Sequence, residues 1–238
     1  MKDERLLNGK FYHIYNCGIN GMDLFRESKN YEHFLGLMDK YILPVAEIFA
    51  WVLMRNHFHF LIRIKENVRY KYALADLDPK DDTWFDEHKW ETIDLISREV
   101  DLSFCEANES VNLPETVKIP NPILHFSHLF NAYSKYFNKR YSRHGGLFER
   151  RFNRKHVDNK RYLKRIILYI HNNPVHHRFC THPVEYPWSS YLTCISVKPT
   201  RLKREVVLGW FDSEANFKDL HNEKIEFEKI NKWINLKS

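Results

Sequence analysis

Apolar positions along the chain change their period several times, and those changes mark out its elements. From Phe11 to Asn16 aromatic and polar residues alternate up to Gly18, with Gly21 close behind, which predicts a first strand and a turn. Ser28 is placed to cap a helix in which Tyr31, Phe34, Leu35, Met38, Tyr41 and Ile42 recur at helical spacing until Pro44. Two apolar runs, Glu47 to Met54 and His57 to Ile64, are separated only by Arg55-Asn56, as in a β-hairpin. After Pro122 a second helix face runs through Leu124, Phe126, Leu129, Phe130, Tyr133, Tyr136 and Phe137 to Tyr141, and Gly145-Gly146 ends it. Leu147 to Val157 alternates with basic residues on both sides, which predicts a strand too charged to be fully buried. Asp158 or Asn159 then caps a helix from about Lys160 to Asn173.

Strand, helix, strand, strand, helix, strand, helix is the resulting order. It predicts an α+β chain whose first six elements form a ferredoxin-like sandwich with a central antiparallel sheet and helices. Between Glu66 and Pro120 the periodicity weakens, so this stretch reads as an insertion, with short helices expected around Trp84 to Trp90 and Ile93 to Phe104. Pro183 to Tyr191 reads as a compact irregular segment. Leu202 to Trp210 and Asn216 to Trp233 predict two more helices. The expected organisation is one domain over 1–191, with the insertion at about 66–120, and a helical C-terminal extension over 192–238.

Charge adds a partner class to this outline. The 238 residues carry a formal charge of +6 beside 15% aromatics, a combination suited to nucleic acid. Residues 131–178 hold thirteen Lys/Arg against two Asp/Glu, whereas residues 66–120 hold six against fourteen. A polyanion would be drawn to the first segment and repelled by the insertion. Cys17, Cys105, Cys180 and Cys194 fall in no C-x-x-C spacing and are expected to be reduced. The N-terminus lacks the apolar core of a signal peptide, and the longest apolar run, Ile48 to Met54, is too short to span a bilayer. A cytoplasmic protein without a membrane partner is the expectation.

Two stretches carry candidate chemistry. In Asn56-His57-Phe58-His59-Phe60 the strand period puts His57 and His59 on one face, where two imidazoles can chelate a metal; two hydrogen-bonded histidines on a half-buried sheet would give the same pattern. In Tyr169-Ile170-His171-Asn172-Asn173-Pro174-Val175 the helical period stacks Tyr169 over Asn173, so a phenol and an amide point the same way. A phenol can attack phosphorus, and an amide oxygen is an acceptable ligand for a hard cation. Because proline disfavours the α conformation of the preceding residue, Asn173 is expected at a helix end or kink.

Together these motifs resemble the HUH endonuclease superfamily, and within it the REP-associated tyrosine transposases. The likeness extends from about Phe11 to Tyr191. It includes His13-Ile14-Tyr15-Asn16 with Gly18, Leu53 to His59, Gly146-Leu147-Phe148, Asn172 to Val175 and Trp188-Ser189-Ser190-Tyr191. Arg55, where related chains often have proline, and the acidic stretch depart from the pattern. The resemblance implies a metal-dependent single-stranded DNA endonuclease and strand transferase that cleaves near DNA hairpins. It implies Tyr169 as the nucleophile forming a 5′-phosphotyrosyl link, and His57, His59 and Asn173 as ligands of Mg²⁺ or Mn²⁺. Lys139, Arg140, Arg150, Arg151, Arg154, Lys155, Arg161, Lys164 and Arg165 are the expected DNA contacts, with a homodimer as a further possibility. Two other readings stay open: a non-catalytic hairpin-binding or regulatory protein derived from a transposase, and a metal-dependent hydrolytic nuclease.

Overall fold

The computed structural model describes residues 5–66, 68–72, 91–94, 116–223, 225 and 227–234. The strand β1 (Phe11–Cys17), helix α1 (Ser28–Tyr41), and strands β2 (Ala46–Met54) and β3 (His57–Ile64) open the chain, with Arg55-Asn56 as the tight turn between the last two. Short strands β4 (Val68–Tyr72), β5 (Glu91–Asp94) and β6 (Thr116–Lys118) lie in the acidic stretch and form their own sheet in the order β5-β4-β6. Next come α2 (Pro122–Arg140), β7 (Asn153–Val157) and α3 (Lys160–His176). Four further helices follow: α4 (Tyr191–Cys194), α5 (Arg204–Trp210), α6 (Glu214–Asn222) and α7 (Phe227–Ile234).

The main sheet runs β2-β3-β1-β7, with every neighbouring pair antiparallel. Each helical crossover, α1 from β1 to β2 and α2 from β3 to β7, spans one intervening strand, which is the ferredoxin-like arrangement that the element order predicts. The fold is α+β.

Register then sorts the side chains between faces. Phe58 and Phe60 turn toward α1 and α2, where Phe34 lies 5.4 and 6.2 Å from them and Phe130 lies 5.6 Å from Phe58, measured between ring centroids. Burying each such ring stabilises the fold by about 1.5–3 kcal/mol. His57 and His59 take the opposite face, with Cys17 and Tyr15 as their partners on β1. Helix α3 covers that face, its Leu163, Ile166, Ile167 and Ile170 all buried.

The free edge of β2 is closed by the Trp-Ser-Ser-Tyr segment. Leu53 N–H donates to the Trp188 carbonyl and Ser190 N–H to the Trp51 carbonyl, both at 2.9 Å, while Trp51 N–H donates to Ser190 Oγ at 2.8 Å. An irregular segment thus does the work of an edge strand. At the end of β1, Gly18 packs so tightly that a Cβ would sit 2.0 Å from the Met22 carbonyl oxygen, so only glycine fits.

Several boundaries differ from expectation. The strand expected from Leu147 starts only at Asn153, because Glu149, Arg150 and Arg151 are three successive exposed residues and cannot alternate into a core. Helix α1 is capped by Glu27 rather than Ser28, in a reciprocal capping box with Asn30. Asn173 is not at a helix end: α3 continues through Pro174 to His176, and the following turn is held by His177 N–H to the Asn173 carbonyl at 3.0 Å and Phe179 N–H to the Pro174 carbonyl at 2.9 Å. Packing of the buried 169–174 segment outweighs the local preference of a pre-proline residue. Ile93 and Asp94, expected to start a helix, lie in β5; the rest of that expected helix and the one at Trp84 to Trp90 fall outside the described residues. The single helix expected from Asn216 to Trp233 is divided where Glu223 turns extended.

Candidate active site on the histidine face

Asn159 starts α3 by accepting Arg161 N–H on its side chain at 2.8 Å, and the apolar stripe of the helix then fixes its rotation over the sheet. That rotation brings Tyr169 and Asn173 down onto the histidines of β3. The Tyr169 ring stands edge-on to His59 at 5.3 Å and to His13 at 5.9 Å. Asn173 Oδ1 lies 2.9 Å from His57 Nε2, and a side-chain hydrogen bond joins Tyr169 to Asn173. The four residues that the resemblance marks out are therefore one cluster, although 116 positions in the sequence separate His57 from Asn173.

The proton positions at His57 bear on what the cluster can hold. Its Nδ1 faces Asn56 Oδ1 at 2.8 Å and its Nε2 faces Asn173 Oδ1, so both ring nitrogens meet amide oxygens. The Asn56 amide is oriented by its Nδ2, which donates to the Gly21 carbonyl at 3.4 Å. Burial lowers the His57 pKa to about 4, so the ring is neutral at pH 7 and has one N–H for two acceptors. With that proton on Nδ1, the Nε2 lone pair and the Asn173 oxygen confront each other. A cation between them satisfies both. Their 2.9 Å separation suits two ligands of one ion, since adjacent octahedral ligands at about 2.1 Å lie roughly 3 Å apart. Among the described residues no three His, Cys, Asp or Glu side chains are arranged to hold a metal, so a three-ligand set that included His57 and His59 would have to draw on another donor, such as the amide oxygen of Asn173.

His59 is fully enclosed, and burial first, then the neighbouring His13, His57 and His177, holds its pKa well below the usual value. Its Nδ1 is engaged by His13 Nε2 at 3.1 Å, leaving Nε2 for a ligand. Burial raises the Tyr169 phenol above its ordinary range, and the bond with Asn173 draws it partly back. The nucleophile candidate is a phenol at neutral pH.

The nine basic residues do not form one patch. Arg150, Arg151 and Arg154 line a cavity of about 650 Å³ beside α2, with Asn131, Phe148 and Phe152, on the sheet face away from His57. In β7, Lys155 pairs with His13 and so faces the histidine side, while Arg154 pairs with Ile14 and faces the other. Arg161, Lys164 and Arg165 lie on α3, where Lys164 meets Asp212 at 3.6 Å. Lys139 and Arg140 end α2, and Arg140 is held by Glu27 in an ion pair that also engages Tyr141.

Residues outside the expected set also meet the cluster. His13 engages His59 and Asn56 engages His57, His177 stands 5.1 Å from His57, and Phe227 of α7 lies 5.0 Å from Tyr169 while stacking on His176 at 4.1 Å. His13 could have been suspected from the alternation of β1, which puts it on a face with Tyr15. Nothing local points to Phe227. His171, between Tyr169 and Asn173 on α3, turns away into a buried chain: its Nδ1 meets His221 Nε2 at 2.9 Å and its Nε2 meets Ser190 Oγ at 2.8 Å, while His221 Nδ1 donates to the Phe217 carbonyl.

Among the described residues no helix is long and apolar enough to cross a membrane. No protein-family model matches the chain, and no curated protein does. Among solved structures, the chain is similar to a REP-associated tyrosine transposase bound to a REP hairpin, with a TM-score of 0.48 and 14% identity over 84% of this chain and 89% of that one.

Proposed function

We propose that the protein is a metal-dependent single-stranded DNA endonuclease and strand transferase, a transposase that cuts near DNA hairpins with Tyr169 as its nucleophile. The observation that carries this reading is the meeting of Tyr169 and Asn173, from one helix face, with His57 and His59 from one strand face. His57, His59 and Asn173 would hold Mg²⁺ or Mn²⁺, which when bound polarises the scissile phosphate and offsets the charge that builds on it. Tyr169 Oη attacks phosphorus in line, the Oη–P bond forms as the P–O3′ bond breaks, and the phenolic proton is lost as O3′ gains one. The product is a 5′-phosphotyrosyl link and a free 3′-hydroxyl. Attack by such a hydroxyl on the link reverses the exchange and rejoins strands. Lys155, on the histidine face of β7, and Arg161 and Arg165, on α3, would contact phosphates, while Arg150, Arg151 and Arg154 would hold another part of the DNA.

A non-catalytic hairpin binder is the second reading, favoured by one feature: Tyr169 is only 3% exposed, with Phe227 packed against it. Both are tested by mixing the protein with single-stranded hairpin DNA from the flanks of its own gene and Mg²⁺ or Mn²⁺, then resolving the products on a denaturing gel. A covalent adduct that requires the metal and disappears in Tyr169→Phe is expected. Tight binding without cleavage would replace the enzyme by the binding module, and cleavage without an adduct would point to hydrolysis.

A further inference from the structure

His13 takes part in neither the ligand set nor the nucleophile, yet it is fully enclosed and its ring is stacked on His59 with centroids 5.1 Å apart and planes 19° from parallel. Its Nε2 is 3.1 Å from His59 Nδ1. Its Nδ1 is buried without a hydrogen-bond partner. Two neutral imidazoles joined nitrogen to nitrogen share one proton between them, and that proton has two possible owners.

If His13 Nε2–H donates, the His59 proton sits on Nε2 and closes the nitrogen that a metal needs. If His59 Nδ1–H donates, His59 Nε2 is an open lone pair and the His13 proton moves to its unpartnered Nδ1. A ligating histidine is usually fixed by a carboxylate, backbone carbonyl or water on its other nitrogen. Asn56 supplies a partner of that kind to His57. His59 has His13 instead, delivered by the pairing of β1 against β3.

We propose that His13 is a positioning residue for the metal site: it accepts the Nδ1–H of His59, so that His59 presents Nε2 toward His57 and Asn173. The proposal rests on the reading of His57, His59 and Asn173 as ligands. Either placement leaves His13 Nδ1 without a partner; the cost of this one is that an N–H rather than a lone pair is left there, and the alternative closes the His59 nitrogen that a metal needs. A glutamine at position 13 can replace the acceptor with its amide oxygen, whereas a leucine fills the space and offers none.

The test combines tautomer and affinity measurements on the full chain. Long-range ¹H–¹⁵N spectra of imidazole-labelled, metal-free protein report which His59 nitrogen carries the proton, and calorimetric titration with Mn²⁺ alone reports affinity. His59 is expected as the Nδ1–H tautomer. His13→Leu is expected to lose that tautomer preference and to bind Mn²⁺ about 10–100-fold more weakly, the range typical when such a partner is removed. His13→Gln is expected to retain both within a few-fold, with circular dichroism confirming that each variant is folded. An Nε2–H tautomer of His59 in the unaltered protein overturns the proposal, as does a folded His13→Leu variant that binds Mn²⁺ like the parent. Should His13→Leu fail to fold, the parent tautomer and the glutamine variant decide in the same directions. A parent that binds no Mn²⁺ while His59 is Nδ1–H removes the metal reading but leaves the hydrogen-bond assignment standing.

Discussion

Lowering the pH from 7.5 to 5 in the absence of divalent cations perturbs the histidines that the fold keeps neutral. Burial pushes the pKa of His13 down to about 3 and those of His57 and His221 to about 4, against 6.5 for an unfolded chain. His59 and His171 are shifted the same way, also chiefly by burial. Below pH 6.5 the unfolded state binds protons that the folded state refuses. Stability is therefore complete above 6.5 and is lost as pH falls toward the folded values. Each pH unit in that window removes about 1.4 kcal/mol per group, so His13, His57 and His221 alone withdraw roughly 6 kcal/mol by pH 5. That is comparable to the whole stability of an ordinary domain, about 5–15 kcal/mol. Urea titrations followed by tryptophan fluorescence at half-unit steps are expected to show the midpoint falling steeply between pH 6.5 and 5 and flat above 7. His221→Phe is expected to lower stability at pH 7.5, because His171 loses its partner, and to reduce the acid slope by about one proton. An unchanged midpoint between pH 7.5 and 5 would refute the claim that these rings are held neutral.

Three other outcomes follow from individual contacts. Asn173→Ala removes the oxygen facing His57 Nε2 and should weaken Mn²⁺ binding at least tenfold, whereas Asn173→Asp should strengthen it, both read by calorimetry. Phe34→Ala, at a fully buried ring that touches Phe58 and Phe60, should cost about 3–5 kcal/mol in chemical denaturation. Phe227→Ala should open the approach to Tyr169 and increase the initial rate of adduct formation; an unchanged rate would mean that α7 does not limit access.

Local periodicity made much of this molecule legible. The strand–helix–strand–strand order, the Arg55-Asn56 turn and the separation of His57 and His59 from Phe58 and Phe60 all follow from side-chain spacing within a dozen residues. Tyr169 over Asn173 is likewise a consequence of helical pitch. These features depend on neighbours in sequence, so composition and spacing determine them. Solvation and packing, not spacing, decided the boundaries: exposed charges at Glu149 to Arg151 delay β7, and the buried end of α3 carries the helix past Pro174.

The contacts that complete the candidate site were decided by tertiary structure. His13 reaches His59 across 46 positions because β1 inserts beside β3, and Asn173 reaches His57 across 116 because α3 settles on the sheet with that rotation. Phe227 meets Tyr169 only because the C-terminal helices return over α3, and Glu27 engages Arg140 only because the start of α1 lies beside the end of α2. Strand order and helix docking minimise the exposed apolar surface of the whole chain, and no window of the sequence contains that sum. The sequence by itself therefore specified which chemical groups each element would offer, and the packing of those elements decided which groups would meet.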